Sequence, residues 1–375
     1  MFESTAEIRY VGLDVHKATI AVAVAEPGGG KPWSYGEIAN DPAQVRKLVR
    51  SLRREGQELH MAYEAGPTGY VLQRQLSKLG VDCVVVAPSR IPRSVSERKR
   101  KNDRRDAELL ARLLRSGDLV PIWVPDPEHE AFRDLVRARF SAKQDVRRHD
   151  HQLTKALLRW GLRPPPGLKK ASAAYRSWRA KVTVEQRAAQ IVLDDLRETL
   201  TAAEERLAYL EGEVHKAVQS HPQFELMLAL QLLSGVGELT AATVVAEVGD
   251  FRRFATAPSF MNFSGLTPSE HSSGEQEAHG PITKEGNGNL RHVLVQGAHN
   301  ARYQPRSRAR LKRVHGELPS DLLEIVARAE SRCHQRYQHL THRVGSYKAV
   351  VAVARERAGF IWAIGQRMAE RELAA

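Results

Sequence analysis

The sequence predicts an α/β domain at the N-terminus and a mostly α-helical region after it. Over residues 1–127, β-rich runs alternate with amphipathic runs, which is typical of a mixed sheet covered by helices. After that point the composition becomes helical and charged, and apolar residues recur with heptad spacing. We therefore expect three domains: an α/β domain over 1–127, long coiled-coil helices over 128–221, and a mostly helical domain over 222–375.

The N-terminal elements follow from residue periodicity and from the turns between them. Two β-rich runs, Tyr10 to Val15 and Ala18 to Ala25, flank a tight turn, and "PWSYGEIA" supplies a third strand after a "PGGG" break. These strands should form an antiparallel meander. The next segments predict helix, strand, helix, strand and helix in turn: "DPAQVRKLVRSLRR", "ELHMAYEA", "TGYVLQRQLSKLG", "VDCVVVAP" and "KNDRRDAELLARLLRSG". The expected order is βββαβαβα.

The middle of the chain predicts two long helices. One runs from Glu128 to Trp160 and is ended by "RPPPG". The other runs from Thr183 to Ser220, and its apolar residues alternate three and four apart, as in the seam of a coiled coil. The seam residues are Leu193, Leu196, Leu200, Ala203, Leu207, Leu210, Val214 and Ala217. A paired helix, and with it at least a dimer, is the expected consequence.

The last third of the chain predicts helices around two turn-rich segments. "LLSGVGELTAATVVAEVGDFRRF" indicates two helices joined at Gly235 to Gly237. This turn fits either a phosphate-binding helix-hairpin-helix or a plain helix turn. The segment "GLTPSEHSSGEQEAHGPITKEGNGNLRHVLVQGAHNAR" predicts a hairpin that leads into a helix, and two further helices close the chain.

The charge balance favours a polyanionic partner. Lys and Arg number 57 against 44 Asp and Glu, which gives a formal net charge of +13. Nucleic acid is the first candidate partner, and a membrane surface is the rival. No apolar run approaches the roughly 20 residues needed to cross a bilayer, and the N-terminus lacks a signal-peptide pattern, so we expect a soluble cytoplasmic protein. Two cysteines are too few for a disulfide framework.

Basic clusters should bind phosphates without reading the base sequence. Three of them lie at Arg98–Lys101, Arg147–His151 and Arg302–Arg313, although each alone also fits a solvated helix face. The candidate nucleic-acid-binding residues are Arg98, Lys99, Arg100, Lys101, Arg147, Arg148, Lys284, Arg291, Arg306, Arg308, Arg310 and Lys312.

Four acidic residues stand at positions that the order βββαβαβα brings together. Asp14 interrupts the first strand, Glu64 ends the strand after the first helix, and Asp103 and Asp106 lie one turn apart at the start of the last helix. At about 100° per residue, both aspartates point to the apolar side of that helix, so either the helix start protrudes into solvent or a cation compensates them. Crowded carboxylates repel one another, and Mg²⁺ or Mn²⁺ removes that penalty. We therefore predict a metal site that assists the cleavage of a phosphodiester.

Each acid also has a simpler explanation when it is taken alone. Asp14 fits a solvent-facing position on a strand, Glu64 fits an acid beside a turn, and Asp103 fits a helix N-terminus favoured by the macrodipole. Their convergence in the predicted fold is what favours metal binding.

These motifs together resemble a known family. The N-terminal part is similar to the RNase H-like, RuvC-type nuclease fold, and nearly the whole chain resembles the DEDD transposases of bacterial insertion sequences. The resemblance lies in "GLDVHK", "YEAGPTG", "KNDRRDAELLARLL", "GVGELTAATVVAEVGDFRRF", "GLTPSEHSSG", "ITKEGNGNLR" and "KAVVAVARERAGFIWA", which occur in the family's order. It implies an RNase H-like first domain, a serine-bearing transposase domain, and a structured bridge RNA that pairs with donor and target DNA.

The segment "PSEHSSGEQEAHG" contains Ser272 and Ser273. From the residues alone it fits a flexible loop, and neither His271 nor His279 can be assigned to a catalytic triad by spacing. The resemblance implies that Ser273 is the nucleophile that forms a covalent phosphoserine link with DNA. Glu275 stands where family members commonly have a second glycine. We expect the four acids to meet Ser273 across a domain interface.

The expected function is that of an RNA-guided DNA recombinase that acts through phosphoserine, with metal-bound acids assisting. Two DNA partners imply a dimer that assembles into a tetramer, at the nucleoid of a bacterial cell. Two other functions stay open. One is a metal-dependent nuclease or junction resolvase in which water attacks the phosphate directly, and the other is a nucleic-acid-binding assembly factor with an inactive nuclease fold.

Overall fold

The chain folds into two units, Met1–Val124 and Pro125–Ala375, in a computed structural model. The structure describes residues 7–92, 102–170, 172–270, 279–305 and 319–374. The first boundary lies close to the predicted one at residue 127.

A five-stranded mixed sheet forms the first unit. Its strands are β1 (Glu7–Val15), β2 (Thr19–Ala25), β3 (Trp33–Ala39), β4 (Gln57–Glu64) and β5 (Asp82–Val86), arranged in the order β3-β2-β1-β4-β5. The first three strands form the predicted antiparallel meander, and β1, β4 and β5 run parallel. Helices α1 (Pro42–Leu52), α2 (Val71–Lys78) and α3 (Asp103–Ser116) complete the predicted order βββαβαβα.

The two faces of this sheet carry different side chains. On one face Leu13 and Tyr63 are buried in a core shared with apolar residues of α1 and α2. Side chains alternate along a strand, so Gly12 and Asp14 belong to the other face, where α3 packs on β1 and β2. The acids of the first unit therefore lie on the α3 face of the sheet.

The second unit is mostly helical. Its elements are α4 (Pro127–Arg159), α5 (Ala173–Lys181), α6 (Arg187–Gln219), α7 (Phe224–Gln231), α8 (Glu238–Val248), α9 (Ala257–Phe263), β6 (Pro268–Glu270), β7 (His279–Ile282), α10 (Gly288–Ala298), α11 (Ser320–Val344) and α12 (Ser346–Ala374). The sequence predicted the long helices, the two helices around Gly235–Gly237, the hairpin and the closing helical pair. It did not predict α5 or α9. Across the described ranges, no helix is both long and apolar enough to span a bilayer.

The heptad seam of α6 is filled from within the chain. Leu193, Leu200, Leu207 and Val214, which are seven residues apart, are buried on the side of α6 that packs against α4. Because α4 occupies this seam, the heptad pattern alone gives no reason to invoke a second copy of the chain. A dimer therefore needs a separate argument.

The long helices also join the C-terminal core, which is why residues 128–221 do not form a separate unit. Phe132 and Val136 of α4 and Val214 and Val218 of α6 belong to one cluster with apolar residues of α7, α8, α10, α11 and α12. The long helices and the C-terminal helices thus share one hydrophobic core.

Candidate active site

Asp14 lies near the C-terminal end of the central strand β1. Its Cα partner on β2 is Ala21, and on the other side β1 pairs with β4 up to Leu13 and Tyr63. Glu64 is the next residue of β4, so Asp14 and Glu64 occupy neighbouring positions on the same face of the sheet. The C-terminal ends of parallel strands are where open α/β sheets place their sites.

Close packing of α3 on the sheet brings its first turn to the end of β1. Gly12 lies between Ala23 of β2 and Ala62 of β4 in the strand register. A Cβ atom added to Gly12 would lie only 2.0 Å from the backbone oxygen of Ala107 and 2.5 Å from the backbone nitrogen of Ala111. The absent side chain therefore sets the distance between α3 and β1.

The first turn of α3 carries two acids that differ in exposure. Asn102 caps the helix by accepting a hydrogen bond from the Arg104 backbone N–H at 3.0 Å. Asp106 is buried with 8% of its surface exposed, as the helical angle predicted, but the side chain of Asp103 is 52% exposed. The start of α3 thus extends into solvent at Asp103, while Asp106 faces the sheet.

Asp14 and Asp103 converge on a histidine that the sequence analysis did not select. His16 Nε2 lies 3.4 Å from Asp14 Oδ2 and 3.4 Å from Asp103 Oδ2. The β1–β2 turn fixes the backbone of this residue, since the His16 backbone N–H donates to Thr19 O at 2.8 Å and Asn40 Nδ2 donates to His16 O at 2.7 Å. The only sequence signal for His16 was its position two residues after Asp14 in "DVH". Whether the imidazole turns towards Asp14 depends on how the β1–β2 hairpin closes.

The donor atoms of Asp14, His16 and Asp103 fit a divalent cation. They lie within 4.8 Å of one another, and they are two carboxylate oxygens and an imidazole nitrogen. Carboxylates suit Mg²⁺ and Mn²⁺, and an imidazole ligand favours the softer of such ions. In the described ranges this is the one such group, and Glu64 and Asp106 lie outside it.

An open groove lies beside the β1–β2 turn, between the starts of α1 and α2, and shares His16 with the acid cluster. Its volume is about 510 Å³, and His16 and Lys17 form one wall. Pro67, Thr68 and Val71, from the turn after β4 and the start of α2, lie on the opposite side. The groove is large enough for one nucleotide beside the cluster.

The predicted serine segment lies between β6 and β7. Residues 271–278, including Ser272, Ser273 and His271, are outside the described residues, and so is the side chain of His279. The strands on either side pair antiparallel. The structure therefore describes the stem of this hairpin.

Two glycines and an arginine hold the base of the hairpin. Gly265 and Gly286 have positive φ angles, and added Cβ atoms would lie 2.4 Å from Glu285 O and 2.2 Å from Phe263 O, respectively. Arg291 Nη1 donates to Ser264 O at 3.1 Å and to Lys284 O at 3.2 Å. The loop before β6 and the loop after β7 are thus locked together.

Glu247 fixes the segment that follows this hairpin. This buried carboxylate accepts two hydrogen bonds from Arg137, at 2.8 and 2.7 Å, and further ones from Asn287 Nδ2 at 2.6 Å and Asn289 Nδ2 at 3.0 Å. Asn287 also caps α10. Burial alone would raise the pKa of Glu247, but the hydrogen bonds from Arg137 and Asn289 outweigh burial and hold the pKa below its ordinary value.

Replacing Glu247 by glutamine should cost about 2 kcal/mol of unfolding free energy at neutral pH, because charge-assisted hydrogen bonds are lost. In the wild type the stabilisation is present above about pH 4.3, the ordinary pKa of glutamic acid, and is lost as the pH falls through the lowered folded-state pKa. Urea unfolding of both proteins across this range measures the difference. Glu213→Gln, which removes an i,i+3 surface pair with Lys216, is the control and should have little effect. An equal loss in both variants would contradict the role of Glu247.

The predicted phosphate-binding residues have different surroundings. Arg98 to Lys101 and Arg306 to Lys312 lie outside the described residues. Arg147 and Lys284 are exposed, whereas Arg148 forms an ion pair with Asp145 at 2.9 Å. Arg291 donates hydrogen bonds to the backbone oxygens of Ser264 and Lys284, so in this structure it fixes the base of the hairpin.

Comparison with known proteins is consistent with this geometry. Residues 11–160 match a family model described as a transposase, of the DEDD type named after IS110, and residues 227–312 match the model of the transposase IS116/IS110/IS902 family. The y4qE protein of Sinorhizobium fredii, which is named as a transposase, is 40% identical over 361 residues, covering 95% of this chain and 88% of that protein. The transposase for insertion sequence element IS1533 of Leptospira borgpetersenii is 29% identical over 333 residues, covering 88% and 96%.

Proposed function

Because the chain belongs to the IS110-type DEDD transposases of insertion sequences, we propose that it cuts and rejoins DNA through a phosphoserine intermediate assisted by a divalent metal. The cluster of Asp14, His16 and Asp103 carries the metal-dependent part of this proposal. A DNA transposase needs a group that stabilises charge on the phosphate being cleaved. These are the described side chains with the donors to hold a cation for that purpose.

The residues of the first unit have separate roles in this proposal. Asp14, His16 and Asp103 would hold the cation together, since the imidazole nitrogen lies 3.4 Å from an oxygen of each carboxylate. Glu64 and Asp106 contribute negative charge from the neighbouring strand and from the next turn of α3. When bound, Mg²⁺ or Mn²⁺ would polarise the phosphate and stabilise the charge that develops on its oxygens.

The groove beside His16 supports a DNA strand as the substrate. One nucleotide would fit in this groove, which shares His16 with the acid cluster. The cationic Lys17 at the edge favours the backbone phosphate, and the apolar wall favours the sugar or base.

The proposed nucleophile is Ser273, on the resemblance of "GLTPSEHSSG" to the family. Its Oγ would attack phosphorus, lose its proton, and form a Ser–O–P bond while the bond from phosphorus to a deoxyribose oxygen breaks. The leaving oxygen takes up a proton. In the second step a hydroxyl of another DNA strand attacks the phosphoserine and releases Ser273, so the number of phosphodiester bonds is conserved.

The guide RNA and the oligomeric state belong to the same proposal. A structured bridge RNA that pairs with donor and target DNA is what the family resemblance implies, and the net charge of +13 suits several polyanions at once. A synapse of two DNA molecules calls for a dimer that assembles into a tetramer. The place of action would be the bacterial nucleoid.

A denaturing-gel assay tests the phosphoserine step. The protein, purified with the nucleic acid that accompanies it, is incubated with Mg²⁺ or Mn²⁺ and a plasmid that carries the element and its flanking DNA. We expect a protein–DNA adduct that resists SDS in the wild type and in Ser272→Ala, and loss of the adduct in Ser273→Ala, because only the latter lacks the attacking hydroxyl.

Two results would overturn this assignment. An adduct that persists in Ser273→Ala would exclude that residue as the nucleophile. Metal-dependent strand scission without any adduct in the wild type would indicate attack by water, as in a junction resolvase.

A further inference from the structure

Helix α11 presents a row of exposed arginines and one histidine, His339, which accepts a hydrogen bond from Arg343; the candidate site does not include this row. Its inner side is buried in the C-terminal core through Leu322, Val326, Ala329 and Cys333. Its outer side carries exposed residues three or four positions apart, which fall within one sector of the helix. We call this row the α11 surface, and it consists of Arg328, Arg332, Arg336, His339 and Arg343.

Negative charge is scarce along the α11 surface. The sequence contains no Asp or Glu from Ser331 to Lys348. Arg332 forms an ion pair with Glu356 of α12. In the part of the chain that the structure describes, no carboxylate lies within ion-pair distance of Arg328, Arg336 or Arg343.

Helix stability alone does not explain this row. Cations near a helix C-terminus are favoured by the macrodipole, which accounts for Arg343 in the last turn. The effect falls off within one turn, so it does not account for Arg328 and Arg336 in the middle of α11. Arg328, Arg332 and Arg336, each four residues from the next, instead repel one another at a small cost.

The dimensions of the α11 surface suit a nucleic-acid backbone. From Arg328 to Arg343 the helix extends about 22 Å, at about 1.5 Å per residue. Along the axis of a B-form duplex this length covers about six base pairs, at about 3.4 Å per base pair. Arginine binds phosphate through two parallel hydrogen bonds, which a lysine cannot form.

An exposed aromatic residue stands at the end of the same row. Tyr347, at the turn between α11 and α12, is 85% exposed, and Lys348 beside it is exposed as well. Tyrosine side chains can hydrogen-bond phosphate and sugar oxygens, so Tyr347 is compatible with a backbone contact at this end.

We infer that the α11 surface, with Tyr347 at its end, is a docking site for the phosphate backbone of double-stranded DNA. DNA is the partner because transposition acts on duplex DNA and because a straight row of arginines fits a regular backbone. The surface holds DNA without reading its sequence, and it takes no part in the cleavage chemistry.

The test substitutes Arg328, Arg336 and Arg343 together by glutamine in the full-length protein. Glutamine keeps the helix propensity of arginine, and Arg332 is left in place because of its ion pair. Fluorescence anisotropy with a labelled DNA duplex at several salt concentrations gives the affinity and its salt dependence. The slope of log K against log salt should weaken by about 2.7, at about 0.9 per phosphate contact, and affinity at low salt should fall at least about tenfold.

A second triple variant provides the matched control. Lys155, Lys181 and Arg187 are exposed cations on α4, α5 and α6. Replacing them by glutamine lowers the net charge by the same three units, from +13 to +10, because each substitution removes one positive charge. For this control, the slope of log K against log salt should stay within about 0.9 of the wild-type value, which corresponds to one phosphate contact.

Two outcomes would overturn the inference. Equal DNA affinity and slope in the α11 variant and the control would show that only net charge matters. A loss of affinity for duplex RNA with DNA affinity retained would assign the surface to RNA.

Two further measurements keep the result unambiguous. If the triple variant shows a lowered melting temperature, Arg336→Gln alone should still weaken the slope by about 0.9. Strand cleavage is scored separately, so a wild type that binds DNA through α11 and cuts none would contradict the proposed function and leave this inference standing.

Discussion

Asp14→Asn should lower metal-dependent DNA cleavage by about a thousandfold, equivalent to about 4 kcal/mol at 1.36 kcal/mol per tenfold. Asparagine keeps the shape of the side chain and removes the charge that attracts the cation. Asp14 lies on the middle strand of the sheet, and its Oδ2 is 3.4 Å from His16 Nε2. Cleavage of a labelled plasmid over a range of Mn²⁺ concentrations measures the loss.

The matched control for this variant is Asp82→Asn. Asp82 Oδ2 lies 3.6 Å from His60 Nδ1. Asp82 begins β5, so it lies at the opposite end of the parallel strands from the C-terminal end of β1. Both variants lose one carboxylate beside an imidazole, but only Asp14→Asn should lose cleavage and raise the Mn²⁺ concentration needed for half-maximal rate. DNA affinity should be unchanged in both. Full cleavage by Asp14→Asn would show that the cluster does not hold the metal that supports catalysis.

Gly12→Ala should destabilise the first unit by about 3 kcal/mol and lower cleavage by about a hundredfold. A single methyl group is added, but the atoms it meets are the backbone of Ala107 and Ala111, which cannot rotate away as a side chain can. Overpacking of this kind usually costs about 1–3 kcal/mol. Relief requires α3 to move away from β1, and a shift of about 1 Å at catalytic groups can cost a hundredfold in rate.

Gly28→Ala is the control for the added methyl group. A Cβ atom at Gly28 would meet nothing within 4 Å, so this substitution should leave both stability and cleavage close to wild type. Thermal unfolding and the cleavage assay together distinguish the two variants. A wild-type melting temperature for Gly12→Ala would mean that α3 does not pack on the sheet as closely as the structure shows.

The order of elements was predictable because each element carries its own periodicity. Alternating apolar residues in "VGLDV" and the apolar stripe of "KNDRRDAELLARLL" are local signals that need no knowledge of partners. The angle of Asp106 was also predictable, and it is buried as expected. Asp103 is exposed because the helical wheel assumes a buried surface along the whole helix, whereas the first residue of α3 extends beyond the sheet.

Partners distant in sequence were not predictable from such signals. An acid in the apolar run "VVAEVG" indicates a compensated charge, but nothing local identifies Arg137, 110 residues away, as its partner. Likewise, the heptad spacing of α6 specifies a seam and leaves open whether a second copy or α4 fills it. His16 belonged to a quoted motif, yet its position between two carboxylates depends on the hairpin and on α3 together.

The sequence by itself determined most of the secondary structure and the family, and it favoured a polyanionic partner, since these depend on residue type and spacing along the chain. The tertiary structure decided which acids converge, that His16 joins them, and that α4 covers the seam of α6. The physical reason is that local periodicity fixes the face a residue occupies, whereas convergence depends on distances between elements. Those distances are set by packing, and here by the missing side chain of Gly12 under α3.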